Sequence, residues 1–347
     1  MPVAVIVLGA VAIGCVPAAH LLASAQWPRR SPAVAIALWQ ALGLGWGVAT
    51  VGALAGFGVA GLEAGRAGQR PLLTTGVSTL ARTSRGGVTT APRSGPGASV
   101  ATATERAARE LFGSAGPAAR FSNAMYDLRL VSLTASVLLL AVLCWILLAA
   151  VQGVLRARHR QMALLKLLAH GDPKVPGALV VDHPAATAYC VPGLRSAIVI
   201  SAGTLNLLDQ AELAAVLEHE RAHLRARHDL VLLPFTALLR AFRWSATARE
   251  ANRAVSLLVE MMADDRARRH RPARELATAL LRVGVSGGGQ APTGALAAAD
   301  QPGGDLAARV TRLLRPPPDL PLYSAVLLCS VAALVVIAPT AAMLLPL

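Results

Sequence analysis

Cysteine is scarce: there are four in 347 residues. Cys15, Cys144 and Cys329 fall in apolar runs, and Cys190 stands alone between them. That spacing excludes a disulfide framework and a Cys-x-x-Cys metal site, and it is compatible with a reducing compartment for any soluble part. Cys190 reads as a small buried strand residue rather than a nucleophile. Charge is scarce too. Only 15% of residues are charged, against 54% hydrophobic, and the mean hydropathy is +0.53. Such a balance points to a membrane protein. No Lys or Arg precedes the first apolar run, as a signal peptide would require, so that run reads as a retained span although Ala23-Ser24-Ala25 mimics a cleavage site. Acids are outnumbered by 19 to 33, which leaves a net charge of +14. No DNA-binding motif accompanies that excess, so direct nucleic-acid binding is not expected. Of the 33 basic residues, 22 lie between Val154 and Leu320 among 15 acids, where helix faces and span edges would meet anionic lipid headgroups.

Four apolar runs are each long enough for a bilayer core of ~30 Å: 3–25, 33–62, 130–155 and 320–345. The chain therefore divides into 1–62, two spans with a short loop; 63–128, a polar loop; 129–155, a third span; 156–319, a large domain; and 320–347, a fourth span. The second span carries glycines at 43, 45, 47, 52, 56, 58 and 61, which include small-xxx-small spacings suited to close helix packing. Residues 74–102 are rich in Gly, Ser, Thr and Arg and read as disordered, with a short helix over 104–112. Near the span ends, the first and third loops hold nine Lys and Arg residues (Arg29, Arg30, Arg156, Arg158, Arg160, Lys166, Arg309, Arg312 and Arg315). The second loop holds four. The positive-inside rule puts the first and third loops in the cytoplasm and both termini outside.

In the large domain the pattern predicts a helix over 162–170 and strands over 178–181 and 185–191, with Asp182-His183-Pro184 as the turn between them. A third strand follows over 195–201. Helices follow over 209–228, 230–250, 251–270, 274–283 and 305–314, with a flexible connection over 284–304. The run 230–250 reads as a core or membrane-hugging helix, because Arg240, Arg243 and Arg249 leave too short an uncharged stretch to span.

The stretch that carries chemistry is Glu218-His219-Glu220-Arg221-Ala222-His223. Asp209 and Glu212 make a capping-box signature, and no Gly or Pro interrupts 211–227, so the stretch is helical. His219 and His223, four apart, share a face and can present two imidazoles to one metal ion. Glu220 stands on the edge of that face, placed to take a proton from an attacking water. Chance would produce such a motif in roughly one chain per hundred of this composition. A hydrolytic zinc site needs a third ligand and an open position. Glu260 fits, and Asp264, one turn on, can accept from a ligand imidazole and fix its tautomer. Asp265 is an alternative for that role. His228, about 140° round the helix from His223, reads as a solvent or helix-end residue. His270 or Tyr189 is a candidate for stabilising an oxyanion. His20 stands inside a span with no evident partner.

His-Glu-Arg-Ala-His, followed by Glu-Met-Met-Ala-Asp-Asp-Arg-Ala and flanked by spans, resembles the BlaR/MecR-type antirepressor family of integral-membrane zinc metallopeptidases. The CAAX-type and heat-shock-type membrane peptidases share the plan. The resemblance covers about 154–318, including Ala188-Tyr189-Cys190-Val191-Pro192-Gly193 and Ala197-Ile198-Val199-Ile200-Ser201, which resemble the strand pair before the zinc helix. It implies zinc bound by His219, His223 and Glu260, Glu220 as catalytic base, and Asp264 behind the ligands. The implied architecture is mainly α and integral-membrane, with a helical zinc-peptidase domain and a small sheet edge inserted between spans three and four. The implied activity is hydrolysis of a cytoplasmic protein, such as a transcriptional repressor, in response to a signal. β-Lactam-sensing members carry a penicillin-binding domain after the last span, and nothing in these 347 residues resembles one. Two rival expectations are a quality-control peptidase of the heat-shock type and a non-catalytic membrane scaffold.

Overall fold

The computed structural model describes residues 2–83, 117–173, 175–193, 196–286 and 303–344. Four of its helices are long and apolar enough to cross a membrane: α1 (Pro2–Ser24), α2 (Pro32–Thr83), α3 (Pro117–Leu168) and α10 (Leu322–Leu344). In α2 the apolar part is Pro32–Ala60, and the helix runs on to Thr83, where the sequence pattern predicts polar loop. Extending a formed helix fixes one residue per new hydrogen bond, so continuation costs far less than nucleation. Residues 84–116 of that loop, including the short helix expected over 104–112, lie outside the described residues, and 117–128 are not loop but the first turns of α3. Most of the connection expected over 284–304 also lies outside the described residues.

The contacts divide the chain into two compact units. The first comprises residues 1–10, 47–140 and 339–347. In it Ser132 Oγ donates to Leu54 O at 2.7 Å, and Gly58 lets α2 approach α3. A Cβ at Gly58 would lie 3.0 Å from Arg129 O. Of the other glycines in the second span, a Cβ at Gly52 would meet Met343 at 3.0 Å and one at Gly56 would meet Val5 at 3.0 Å, whereas one at Gly43 would meet nothing within 4 Å.

The second unit comprises residues 11–46 and 141–338 and holds the sheet: β1 (Ala169–Gly171), β2 (Ala178–Val181), β3 (Ala188–Val191) and β4 (Ala197–Ser201). No Gly or Pro stands between Val154 and Leu168, so α3 continues past residue 155, where the third span is predicted to end. It absorbs most of the helix expected at 162–170, and His170 and Gly171 belong to β1 instead. The strand order is β1-β2-β4-β3, with β2 and β4 parallel and the outer pairs antiparallel. Asp182-His183-Pro184 is therefore not a hairpin turn, because β4 lies between β2 and β3. The end of β4 holds the connecting segment in place. Ser201 Oγ donates to Ala185 O at 2.8 Å and accepts from Thr187 N at 3.0 Å, while Thr204 Oγ1 donates to Thr187 O at 2.9 Å.

Side chains alternate across this sheet. Val180, Cys190, Ile198 and Ile200 join one core with the helices that follow the sheet. Tyr189, Val191 and Val199 join another with Leu165 of α3. Those following helices are α4 (Ala202–Leu207), α5 (Gln210–Ala226), α6 (His228–Ala241), α7 (Ala246–Ala267), α8 (Ala273–Val285) and α9 (Gly303–Leu314). The apolar run 230–250 is not one helix. It breaks after Ala241, and Ser245 caps α7 by accepting from Ala248 N. Phe235 of α6 and Val255, Leu258 and Val259 of α7 are buried in a core with Cys15, Ala19, Leu22, Ile36, Trp39, Leu42 and Ala332. The helix that carries Glu260 thus shares a core with residues of three of the apolar helices. His20 finds partners in the same region: its Nδ1 lies 2.8 Å from Glu250 Oε2, and its Nε2 lies 3.2 Å from Thr247 Oγ1.

Within this unit α2 meets α10 at Gly45, where a Cβ would stand 2.6 Å from Val335 O. Backbone cannot yield as a flexible side chain does, so Gly45→Val is expected to lower stability by ~1–3 kcal/mol. Gly43→Val is the control, since a Cβ there meets nothing within 4 Å. Thermal melts in detergent check this; equal melting of both variants would show that α2 and α10 do not touch at Gly45.

Candidate metal centre

Helix α5 forms where the capping signature places it. Asp209 Oδ1 accepts from Ala211 N at 2.9 Å and Glu212 N at 2.8 Å, and Glu212 Oε2 accepts from Asp209 N at 3.1 Å. A complete cap of this kind contributes ~1 kcal/mol or more. The helix buries Leu213, Val216 and Leu217 against the sheet and α8, and the same registry buries His219, Glu220 and His223. On α7, Glu260 directly follows buried Val259, and Asp264 follows one turn later.

These elements bring His219, His223 and Glu260 together, all buried, with one ligand atom from each within a 4.8 Å group. His219 Nε2 lies 3.0 Å from His223 Nε2, His219 Nε2 lies 3.4 Å from Glu260 Oε2, and His223 Nε2 lies 3.5 Å from Glu260 Oε1. Ligands at ~2.0–2.1 Å from a tetrahedral zinc stand about 3.3 Å apart, so these separations fit three corners of such a site. Two imidazoles and a carboxylate are also the donor set of a hydrolytic rather than a structural zinc site. Glu220 is buried beside this cluster, and its Oε2 accepts no hydrogen bond among the described residues. Burial pushes its carboxyl up to about 7.

Asp264 takes the predicted place behind His219. Its Oδ1 lies 2.9 Å from His219 Nδ1, an ion-pair distance although oblique to the ring N–H. Asp265 does not share that role. Arg312 grips it with contacts of 2.6 and 2.7 Å, and Arg312 Nε also donates to Arg29 O at 2.7 Å.

Two residues escape the sequence reading. The first is Arg309 of α9, which the charge count treats as a lipid-facing cation. It is 8% exposed, and it donates from Nε to Asp264 Oδ2 at 2.9 Å and from Nη2 to Asp264 Oδ1 at 2.8 Å. Its Nη1 lies 3.0 Å from Glu260 Oε2. This bidentate clamp faces the ligand and the residue behind it at once. Burial alone would raise the Asp264 and Glu260 carboxyls, but Arg309 and the imidazoles overcome it and hold both well below the usual range. Burial likewise opposes a charge on His219, yet Asp264 and Glu260 hold it up at about 10. Arg268, one turn after Asp264, is the cation that local spacing offers, so nothing in the sequence points to Arg309, 45 residues away. Arg158, Arg309 and Arg312 are each paired to an acid. Taking these three from the nine cations counted in the first and third loops leaves six, against four counted in the second loop.

The second residue is His228. It is fully buried, and its Nδ1 lies 2.9 Å from His223 Nδ1. Helix α5 ends before it, so His228 does stand at a helix end as expected, but it is buried rather than exposed to solvent. The chain leaves α5 through Arg227, whose φ of 51° and ψ of 46° are left-handed. That conformation costs a non-glycine residue ~1 kcal/mol or more. It turns the backbone so that His228, as the first residue of α6, folds back onto His223. Burial lowers His223 to about 3 and His228 to about 4, so both rings are neutral near pH 7.

The other candidates are placed elsewhere. Tyr189 packs on the α3 face of the sheet, and His270 is exposed, 3.8 Å from Glu218. Neither joins the metal cluster. Cys190 lies on the zinc-helix face of the sheet, and burial, then the Glu220 carboxylate, push its thiol up, so a thiolate nucleophile is excluded.

Residues 149–277 match the family model of Peptidase family M48, a family of zinc metallopeptidases. The match covers less than half of the chain but spans the sheet, the zinc helix and α7. It supports a peptidase activity for this region. No curated protein and no solved structure matched the chain.

Proposed function

We propose that this chain is an integral-membrane zinc metalloendopeptidase. The observation that carries the reading is the convergence of His219, His223 and Glu260 at zinc-ligand spacings beside buried Glu220, within the region matching a metallopeptidase family. Bound zinc would polarise the scissile carbonyl and make water a nucleophile near neutral pH. Glu220 takes the proton of the attacking water and delivers it to the leaving amine. The position of its pKa near 7 suits both halves of that transfer. His219, His223 and Glu260 hold the ion, Asp264 orients His219, and Arg309 balances the two carboxylates. Strand β3, at one edge of the sheet, is available to pair with an extended peptide through backbone hydrogen bonds.

On this reading the excess of cations in the first and third loops sets the catalytic domain in the cytoplasm. The resemblance in motif favours one regulatory substrate there, a transcriptional repressor cleaved on a signal. A specific observation favours a second reading. Because α7 shares a core with three apolar helices, the site is tied to membrane-spanning structure, as suits a quality-control peptidase that cuts many membrane proteins. Counting the proteins that accumulate in cells with an inactive variant separates one substrate from many.

The direct test of the site is metal content. Protein purified in detergent is expected to hold about one zinc per chain, and His219→Ala and Glu260→Ala are expected to lose it. A folded wild type that binds no zinc, or a Glu260→Ala variant that keeps it in full, would overturn the three-ligand site and favour the scaffold reading.

A further inference from the structure

We propose that His228 is a positioning residue for the metal ligand His223, and that the Arg158–Asp229 ion pair holds it there. The inference rests on the metallopeptidase reading above and adds two elements to it.

His223 Nδ1 and His228 Nδ1 are 2.9 Å apart, and the rings meet edge to face with centroids at 4.8 Å. His223 turns its other nitrogen, Nε2, toward His219 and Glu260. A metal held by Nε2 leaves the proton of the neutral imidazole on Nδ1. His223 is then the donor, and His228 Nδ1 is the acceptor. Without an acceptor at this place, the ring could take the other tautomer and present an N–H to the metal. Such bonds behind a ligand fix its tautomer and its rotation. The two ligands are therefore supported differently: His219 by the carboxylate of Asp264, and His223 by a neutral imidazole.

The backbone shows that this contact is built. On a continuing helix, residue 228 would stand about 140° away from residue 223. The left-handed Arg227 ends α5 and starts α6 at His228, which brings the ring back. Arg227 is the one non-glycine residue with positive φ among the described residues. The next residue after His228, Asp229, is 8% exposed and accepts from Arg158 Nη2 at 2.6 Å. Arg158 belongs to α3, the same unbroken helix that includes the third apolar span. The first turn of α6 is thus tied at one residue to the ligand and at the next to α3.

The test measures zinc affinity by chelator competition in detergent, with the cobalt(II) absorption spectrum as a second readout. His228→Ala is expected to raise the zinc Kd ~10–100-fold and to shift the visible cobalt bands. His228→Asn, whose amide oxygen can accept where Nδ1 does, is expected to recover most of that loss. Arg158→Met is expected to raise Kd several-fold alone and to add little in the His228→Ala background. His219→Ala controls the reading beneath: if it binds zinc like the wild type, the metal site itself is wrong. If His219→Ala loses zinc while His228→Ala keeps wild-type affinity and spectrum, only the present inference fails. His228→Asn no better than His228→Ala would also overturn it, since a mere packing loss is not rescued by an acceptor. An undiminished Arg158→Met effect in the His228→Ala background would overturn the role of the ion pair.

Discussion

Glu220→Gln is expected to keep the fold and bind zinc like the wild type while losing peptide cleavage by ~10²–10⁴-fold, the usual worth of a general base. The side chain is not one of the three ligands, and Gln has the same shape, so the metal cluster stays intact. An amide cannot take a proton from water. Burial also contributes to the wild-type chemistry, since it lifts the carboxyl to about 7 and makes it a stronger base than an exposed glutamate. The experiment compares zinc content, melting temperature and cleavage of a substrate identified in cells. Cleavage that survives at the wild-type rate in zinc-loaded Glu220→Gln would remove Glu220 from the mechanism. Loss of zinc together with activity would show that Glu220 supports the ion rather than the proton transfer.

Arg309→Met is expected to have the largest effect on stability, and one that depends on metal. Removing one partner of a buried charge cluster costs ~3–5 kcal/mol, because the remaining charges are left uncompensated. In metal-free protein, this substitution would leave Glu260 and Asp264 with His219 alone to balance them. Zinc supplies positive charge at the same place, so the loaded variant should lose much less. The melting temperature of chelator-treated Arg309→Met should therefore fall steeply, and the rise on adding zinc should exceed that of the wild type. Acidity gives the sign of a second check. Arg309 holds both carboxyls below their unfolded values, so its stabilisation is present above about pH 4 and disappears as pH falls through the depressed native values. The gap between variant and wild type should close in acid. An equal fall with and without zinc, or none at all, would show that Arg309 is not the counter-charge of this site.

The candidate site was legible because its signals are local. His219 and His223 lie one turn apart, as do Glu260 and Asp264, and Asp209 with Glu212 marks where the zinc helix begins. Helical periodicity carries such spacings directly into space. The four apolar helices were legible for the same reason, since a bilayer-length run needs no partner to be recognised. Three of the four strands followed from alternation, but β1 was read as the end of a helix and strand order was not legible. Val180 and Ile200 look alike as buried strand residues, and nothing near Asp182-His183-Pro184 says that β4 rather than β3 will pair with β2. The apolar run 230–250 misled because Phe242-Arg243-Trp244-Ser245 contains no Gly or Pro to mark the turn between α6 and α7.

By itself, then, the sequence picked out the residues that cluster, His219, His223 and Glu260 with Glu220 beside them, and the apolar helices, because each is written in spacings of a few residues. Only the tertiary structure decided what surrounds them. Arg309 meets Asp264 across 45 residues of chain, and it is an ordinary surface-like cation until burial removes water from the pair. His228 meets His223 only because Arg227 adopts a left-handed conformation that a periodic helix would not contain. A charge or an imidazole takes its role from what lies within ~4 Å of it, and beyond one helical turn that neighbourhood is set by packing rather than by spacing along the chain.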